Sequence, residues 1–210
     1  MGIPSLLLAP AAMAARPPCL PCPPPRAALG RLVALALLLL PAGPDPVAIA
    51  PARALEWRDG TVFLRSPWKA DLISYDTTIG AGPVTWYLTL SLDPDAGASL
   101  ARLSFQQSRG ADRDFQYSPE RTSAFLGRPR QQGRTLPVRA VFEPEARRLI
   151  VEFPEPVAPG ETLTVALRPW TNPMVADTYQ FQVVVWPAGP RAQASPVGTT
   201  SLRIYERSRF

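Results

Sequence analysis

Residues 159–186 read PGETLTVALRPWTNPMVADTYQFQVVVW, and this stretch decides the fold. Leu163, Val165 and Leu167 alternate with Thr162, Thr164, Ala166 and Arg168. Further on, Tyr179, Phe181, Val183 and Val185 alternate with Gln180, Gln182, Val184 and Trp186. Successive side chains of a strand leave opposite faces of a pleated sheet, so this period of two marks half-buried strands. Between them lies Arg168-Pro169-Trp170-Thr171-Asn172-Pro173, where two prolines remove ladder donors and force the chain out of the sheet. The stretch is strand, stiff crossing, strand.

Working outward, the same alternation predicts strands at Thr61–Arg65, Val84–Leu92, Leu100–Ser108, Leu136–Phe142, Arg148–Phe153 and Thr199–Tyr205. Ser66–Gly82, with Pro67, Gly80 and Gly82, reads as a long connection. Ser118–Gly133 reads as irregular, with one helical turn from Ser118-Pro119-Glu120 before Gly127 stops it. No long helical period occurs anywhere. The pattern predicts an all-β, immunoglobulin-like two-sheet sandwich of about seven to nine short strands. Tyr179 opens a late strand just after an inter-sheet crossing. That is the place of a tyrosine corner, whose phenol caps backbone groups upstream, or of a tyrosine that simply packs in its strand.

The chain divides by composition. Residues 27–40, AALGRLVALALLLL, form a short apolar core with Arg26 and Arg31 at its front, and Ala52-Arg53-Ala54 precedes Leu55. Basic front, short apolar centre and A-x-A site are the three parts of a secretory signal peptide. The core is shorter than the roughly 20 apolar residues of a membrane-spanning helix, and Pro41, Pro44 and Pro46 close it. Residues 1–54 are therefore expected to be a signal peptide cleaved after Ala54, with an uncleaved anchor as the competing reading. The proline-rich residues 1–25 read as an extension upstream of the true translation start, at Met13 or a non-ATG codon. Cys19 and Cys22 lie there, spaced C-x-x-C but without the strand–helix context of a redox pair. Residues 55–205 are the expected β-sandwich domain and 206–210 a polar tail. The mature chain is expected to have no stable membrane span and to be exported to periplasm, thylakoid lumen or medium.

From Leu55 onward the chain holds no histidine and no cysteine, which removes Ser–His and Cys–His nucleophiles, imidazole acid–base work and the usual zinc and copper ligands. Over the same residues 18 Lys and Arg stand against 16 Asp and Glu, too balanced for a nucleic-acid protein. Carboxylate pairs at Asp93/Asp95 and Glu143/Glu145 sit in proline turns. Asp93-Pro94-Asp95-Ala96-Gly97 has the opening of a calcium loop but no following carboxylate at the right distance. The expectation is no enzyme, no cofactor and no metal; the alternative is a carbohydrate-active or other envelope enzyme using carboxylates.

What remains is a non-catalytic binding or structural module of the cell envelope, with an envelope protein or a glycan as partner. The candidate binding residues are Arg168, Trp170 and Asn172, on the stiff crossing, where ordering a contact costs little entropy. Trp170 either projects outward for a partner or folds back to plug the end of the sandwich. Arg121, Arg128, Arg130 and Arg134 crowd one region and read as a solvated basic loop or as an acidic-polysaccharide contact.

Four segments together resemble a known family: Pro94-Asp95-Ala96-Gly97 with Leu100; Ala124-Phe125-Leu126-Gly127; Pro159-Gly160-Glu161-Thr162 through Leu167-Arg168-Pro169; and Asn172-Pro173 with Tyr179-Gln180-Phe181. The set is similar to domain-of-unknown-function family 2808, exported proteins found mostly in cyanobacteria, over about Trp57 to Tyr205. The resemblance implies no activity and assigns no catalytic residue. Asp177 stands where the family pattern has a glycine shortly before the tyrosine, so a positive φ at that step is in question.

Overall fold

The computed structural model describes residues 55–57 and 60–207. The expected leader, with Cys19 and Cys22, and residues 208–210 of the tail lie outside them. The chain folds as two five-stranded antiparallel sheets packed face to face, with a small ribbon beside them. In chain order the ribbon is β1 (Leu55–Trp57) and β2 (Gly60–Val62). One sheet runs in the order β3 (Ala70–Ser74), β4 (Trp86–Ser91), β10 (Thr162–Leu167), β6 (Ser123–Arg128), β7 (Gln131–Leu136). The other runs β12 (Ser195–Ile204), β11 (Asp177–Pro187), β5 (Leu100–Arg109), β9 (Arg148–Val157), β8 (Arg139–Glu143).

The residues that alternate in the sequence do so in space. Leu163, Val165 and Leu167 pair with Leu90, Leu88 and Trp86, and all six are wholly buried. Facing them from the second sheet are Phe105, Leu149, Val151, Phe181, Val183 and Val185, also without exposure. The proline-rich crossing carries the chain from the centre of one sheet to the interior of the other, as its neighbours' alternation implied.

Three segments differ from expectation, each for a local reason. The connection at Ser66–Gly82 contains β3, whose pattern is short and fully buries only Leu72. The irregular region contains the hairpin β6–β7 after its short 3-10 turn at Pro119–Arg121. Ala124 belongs to the core, but Phe125 lies on the other face of the strand, where Thr164 also sits, and is buried there. Leu136–Phe142 is two strands in different sheets, because Pro137 lacks the N–H that would continue the ladder. The strand count rises accordingly; the class stands.

Aromatic rings fill the sandwich at the end where the crossing lies. Phe105 stacks on Phe181 at 4.5 Å between centroids, and Trp86 meets Phe181, Phe115 and Tyr117 at 5.5, 5.6 and 5.9 Å. Tyr179 joins them and forms a tyrosine corner. Its hydroxyl donates to the Val175 carbonyl at 2.8 Å and accepts the Asp112 N–H at 3.2 Å. The ring lies against Gly110, whose φ is +140°, and a Cβ there would fall 2.2 Å from Tyr179 Cδ1. Asp177 needs no positive φ, since among the described residues only Arg147 and Arg191 of the non-glycines take one. Its carboxylate instead accepts the N–H groups of Ala111 and Thr178, at 2.9 and 2.7 Å.

Tyr117 is the counterexample. Its ring is buried among the same aromatics, yet its hydroxyl has no hydrogen-bond partner. Burial pushes both phenols above the ordinary tyrosine value, Tyr117 well above it. Opposite signs are therefore expected for the same change. Tyr179→Phe leaves the Asp112 N–H and the Val175 carbonyl short of a partner and should cost about 1–3 kcal/mol in urea melts at pH 7. Tyr117→Phe removes an orphan hydroxyl and should be neutral or stabilising. Because the folded chain holds phenolic protons that the unfolded chain releases, stability should be full below about pH 10 and fall as pH rises beyond it. The fall should be smaller in Tyr117→Phe.

Candidate functional site

The crossing at residues 168–176 is irregular but not loose, because neighbouring loops take up its backbone groups. The Arg168 carbonyl accepts the Ser118 N–H at 2.7 Å, and the Trp170 N–H donates to Gln116 at 3.0 Å. The Pro173 carbonyl accepts from Gly80 at 3.1 Å, and the Met174 N–H donates to the Asp112 carboxylate at 2.7 Å. Pro169 and Pro173 are themselves buried. The crossing is thus stitched to residues 75–85 on one side and 110–118 on the other.

Asn172 is the centre of this stitching. Its backbone N–H donates to the Ala81 carbonyl at 2.7 Å, and its side-chain oxygen accepts the indole N–H of Trp86 at 2.9 Å. Its amide nitrogen donates to the carbonyls of Asp76 and Thr78, at 3.0 and 2.9 Å. The residue has no exposed surface. Its expected place among the binding residues is therefore corrected: both amide donors are already used inside the fold, and nothing of it reaches a partner. The sequence places it before a proline on a loop, which reads as exposed. Only the distant Trp86, with an indole N–H to satisfy, makes it an interior residue.

Arg168 is half-buried and donates from its guanidinium to the Thr85 hydroxyl. Trp170 is 56% exposed. The plug reading fails because the end of the sandwich is already filled by Trp86, Phe115 and Tyr117. Beside it on the same crossing, Met174 is 68% and Val175 46% exposed. Sequence reasoning passed over these two. Their signal was an apolar pair lying outside any alternating run.

Asp93, Asp95 and Glu143 of the carboxylate pairs have other partners. Asp93 accepts the Asp95 N–H within its own turn at 2.8 Å, and Arg65 stands 3.7 Å from Asp93 and 3.2 Å from Asp95. A guanidinium in that position opposes a calcium ion. Glu143 is held by Arg148 through Nε and Nη2, at 2.9 and 2.6 Å. No cluster of potential metal ligands occurs among the described residues. Of the crowded arginines, Arg134 pairs with Glu155 at 2.9 Å and Arg130 lies over the Tyr75 ring at 5.3 Å. Among the described residues no helix is long and apolar enough to cross a membrane.

The profile described as Protein of unknown function (DUF2808) matches residues 60–204, from the start of β2 to the end of β12. The chain belongs to the DUF2808 family. Within this DUF2808 domain, the Asn172-Pro173 and Tyr179-Gln180-Phe181 segment supplies the clamp on Trp86 and the tyrosine corner. No curated protein matches the chain. Among solved structures it is similar to ACE19, the collagen binding subdomain of the Enterococcus faecalis surface protein ACE, at 12% identity and a TM-score of 0.40, over 66% of this chain and 98% of that one. It is similar to BcpA, the major pilin subunit of Bacillus cereus, at 5% identity and 0.43, over 67% and 40%. A third match is a chain from the structure of the manganese lipoxygenase of Gaeumannomyces graminis with part of the zonadhesin of Komagataella pastoris. There the identity is 17% and the TM-score 0.42, over 69% of this chain but only 48% of that one. At these identities and scores the matches say nothing of what the DUF2808 domain binds.

Substitutions at two positions of the crossing, Trp170 and Asn172, test the site's division into inside and outside. Trp170→Ala should leave stability within about 1 kcal/mol of wild type, since an exposed ring leaves no cavity. Asn172→Ala should cost about 3 kcal/mol, because the buried Trp86 N–H is left unpaired and two bonds to the loop carbonyls of Asp76 and Thr78 are lost. Thermal and urea melts of both variants check the contrast.

Proposed function

We propose that this DUF2808 protein is an exported, non-catalytic binding module of the cell envelope, and that residues 168–176 are its contact surface for another envelope protein. One observation carries the reading. The crossing holds Trp170 and Met174 outside, 56% and 68% exposed, on a backbone fixed from beneath by the buried Asn172. Large apolar side chains on a pre-ordered loop lose little entropy when a partner covers them, and tryptophan is enriched at interface hot spots. Arg168 adds a half-buried cation at the start of the same loop.

A non-catalytic role is supported by the lack of histidine and cysteine from Leu55 onward and by the turn and ion-pair duties of Asp93, Asp95 and Glu143. Those duties weigh against an envelope enzyme built on a carboxylate pair. Export is supported by the basic front, apolar core and A-x-A step of residues 1–54.

The test begins with the full chain expressed in its native host. The cell-envelope or culture fraction should hold a species whose intact mass begins at Leu55; one that keeps residues 27–40 would mean an anchor. Photo-crosslinking from position 170 should then yield discrete adducts in envelope extract, and the same probe at the 83% exposed Trp68 should not yield that set. Identical adduct patterns from the two positions would remove the crossing as the contact surface.

A further inference from the structure

The outer face of the sheet β12-β11-β5-β9-β8 is interrupted at one level on three adjoining strands. On β5 the register shifts between Leu100 and Arg102, and on β11 between Trp186 and Pro187. Arg102 pairs with Glu152 while Leu100 pairs with Val157, so residues 153–156 of β9 are left over opposite Ala101. Bulges of this kind kink a strand and re-aim its side chains. Here they open a cavity of about 400 Å³, in the size range of small-ligand sites.

One cross-strand row lines it. Trp186 pairs with Arg102, Arg102 with Glu152, and Glu152 with Arg139, a sequence of aromatic, cation, anion and cation over four strands. The Arg102 guanidinium lies over the Trp186 ring, 4.3 Å from its centroid. Directly opposed Arg and Glu are placed to pair. Yet among the described residues the ion pairs within 4.0 Å include none from Arg102, Arg139 or Glu152. The row carries one positive charge in excess, and its two guanidinium groups and one carboxylate make no ion pair with one another.

We propose that this groove binds an acidic polysaccharide through its uronate residues. Arg102 and Arg139 flank the groove floor as fork-shaped donors for carboxylates. Glu152 accepts from sugar hydroxyls, and Trp186, with the Arg102 guanidinium over its ring, holds that donor in place at the groove. An acidic peptide fits less well. Peptides are captured along open sheet edges by main-chain hydrogen bonds, whereas along the row Arg102 and Glu152 each have a paired residue on both sides, so the row offers side chains alone. The groove is separate from the crossing: β11 leaves the crossing at Asp177 and reaches the groove only at its far end, Trp186 and Pro187.

Calorimetric titration of the full chain with a galacturonate oligosaccharide, beside a neutral hexose oligomer of equal length and a polyglutamate peptide, tests this. Saturable binding of the galacturonate oligomer is expected, with the other two at least about tenfold weaker. Arg139→Ala, on an exposed edge strand, and Trp186→Phe should each weaken it by about tenfold or more at unchanged melting temperature. Trp170→Ala should bind like wild type, which separates this groove from the crossing. No saturable binding, binding untouched by Arg139→Ala and Trp186→Phe, or equal binding of the polyglutamate would each overturn the proposal.

Discussion

The structure depends on a single amide. Asn172 is the one asparagine in the chain, and its side chain accepts from the Trp86 indole, which burial would otherwise strand, while donating to the carbonyls of Asp76 and Thr78. Among the described residues Trp86 is the largest wholly buried side chain, and it stands where the aromatic cluster meets the crossing. Burying an indole so deeply is favourable only if its N–H finds an acceptor. Placing that acceptor on the crossing fixes the loop relative to β4 and the β3–β4 connection in the same step. The tyrosine corner then repeats the device a few residues on, with Tyr179 binding the crossing back on itself through Val175.

This double anchoring explains why an irregular connection can present apolar side chains without collapsing onto the core. The space beneath it is taken by rings that are already packed, and its backbone groups are bound by loops 75–85 and 110–118. Trp170 and Met174 are outside for want of room inside. Glycine serves the same close packing at two points. A Cβ on Gly110 would strike the Tyr179 ring, and one on Gly82 would come within 2.7 Å of the Trp170 carbonyl.

Much of this was legible from residue order. Period-two alternation located β4, β5, β9, β10, β11 and β12, and the crossing's prolines marked a change of sheet, because both signals follow from local backbone chemistry. β3 and β6 escaped because β3 buries one residue and β6 two adjacent ones, so neither sets a period of two. The candidate site was half legible. Trp170 on a stiff loop could be placed, but the direction of its ring depends on which aromatics from elsewhere reach the interior first. Asn172 was misread for the same reason: its acceptor role is dictated by a tryptophan far away in sequence. The groove under Trp186 left still less trace, since a bulge is a matter of register between strands and not of either strand alone.

The order of strands also sets a timetable for folding. Before residue 162 the chain can form a β3–β4 ribbon, a β6–β7 hairpin and a three-stranded piece of β5, β9 and β8, each with an apolar face and no common core. β10 is the strand that enters between β4 and β6 and turns two ribbons into one sheet. β11 likewise brings β12 to β5. Both joining strands come late in the chain and pair with partners from its first half, so loop-closure entropy is spent before most native burial can repay it. The domain should therefore form slowly and all at once, and a chain shortened ahead of the crossing would be left as separate sticky ribbons.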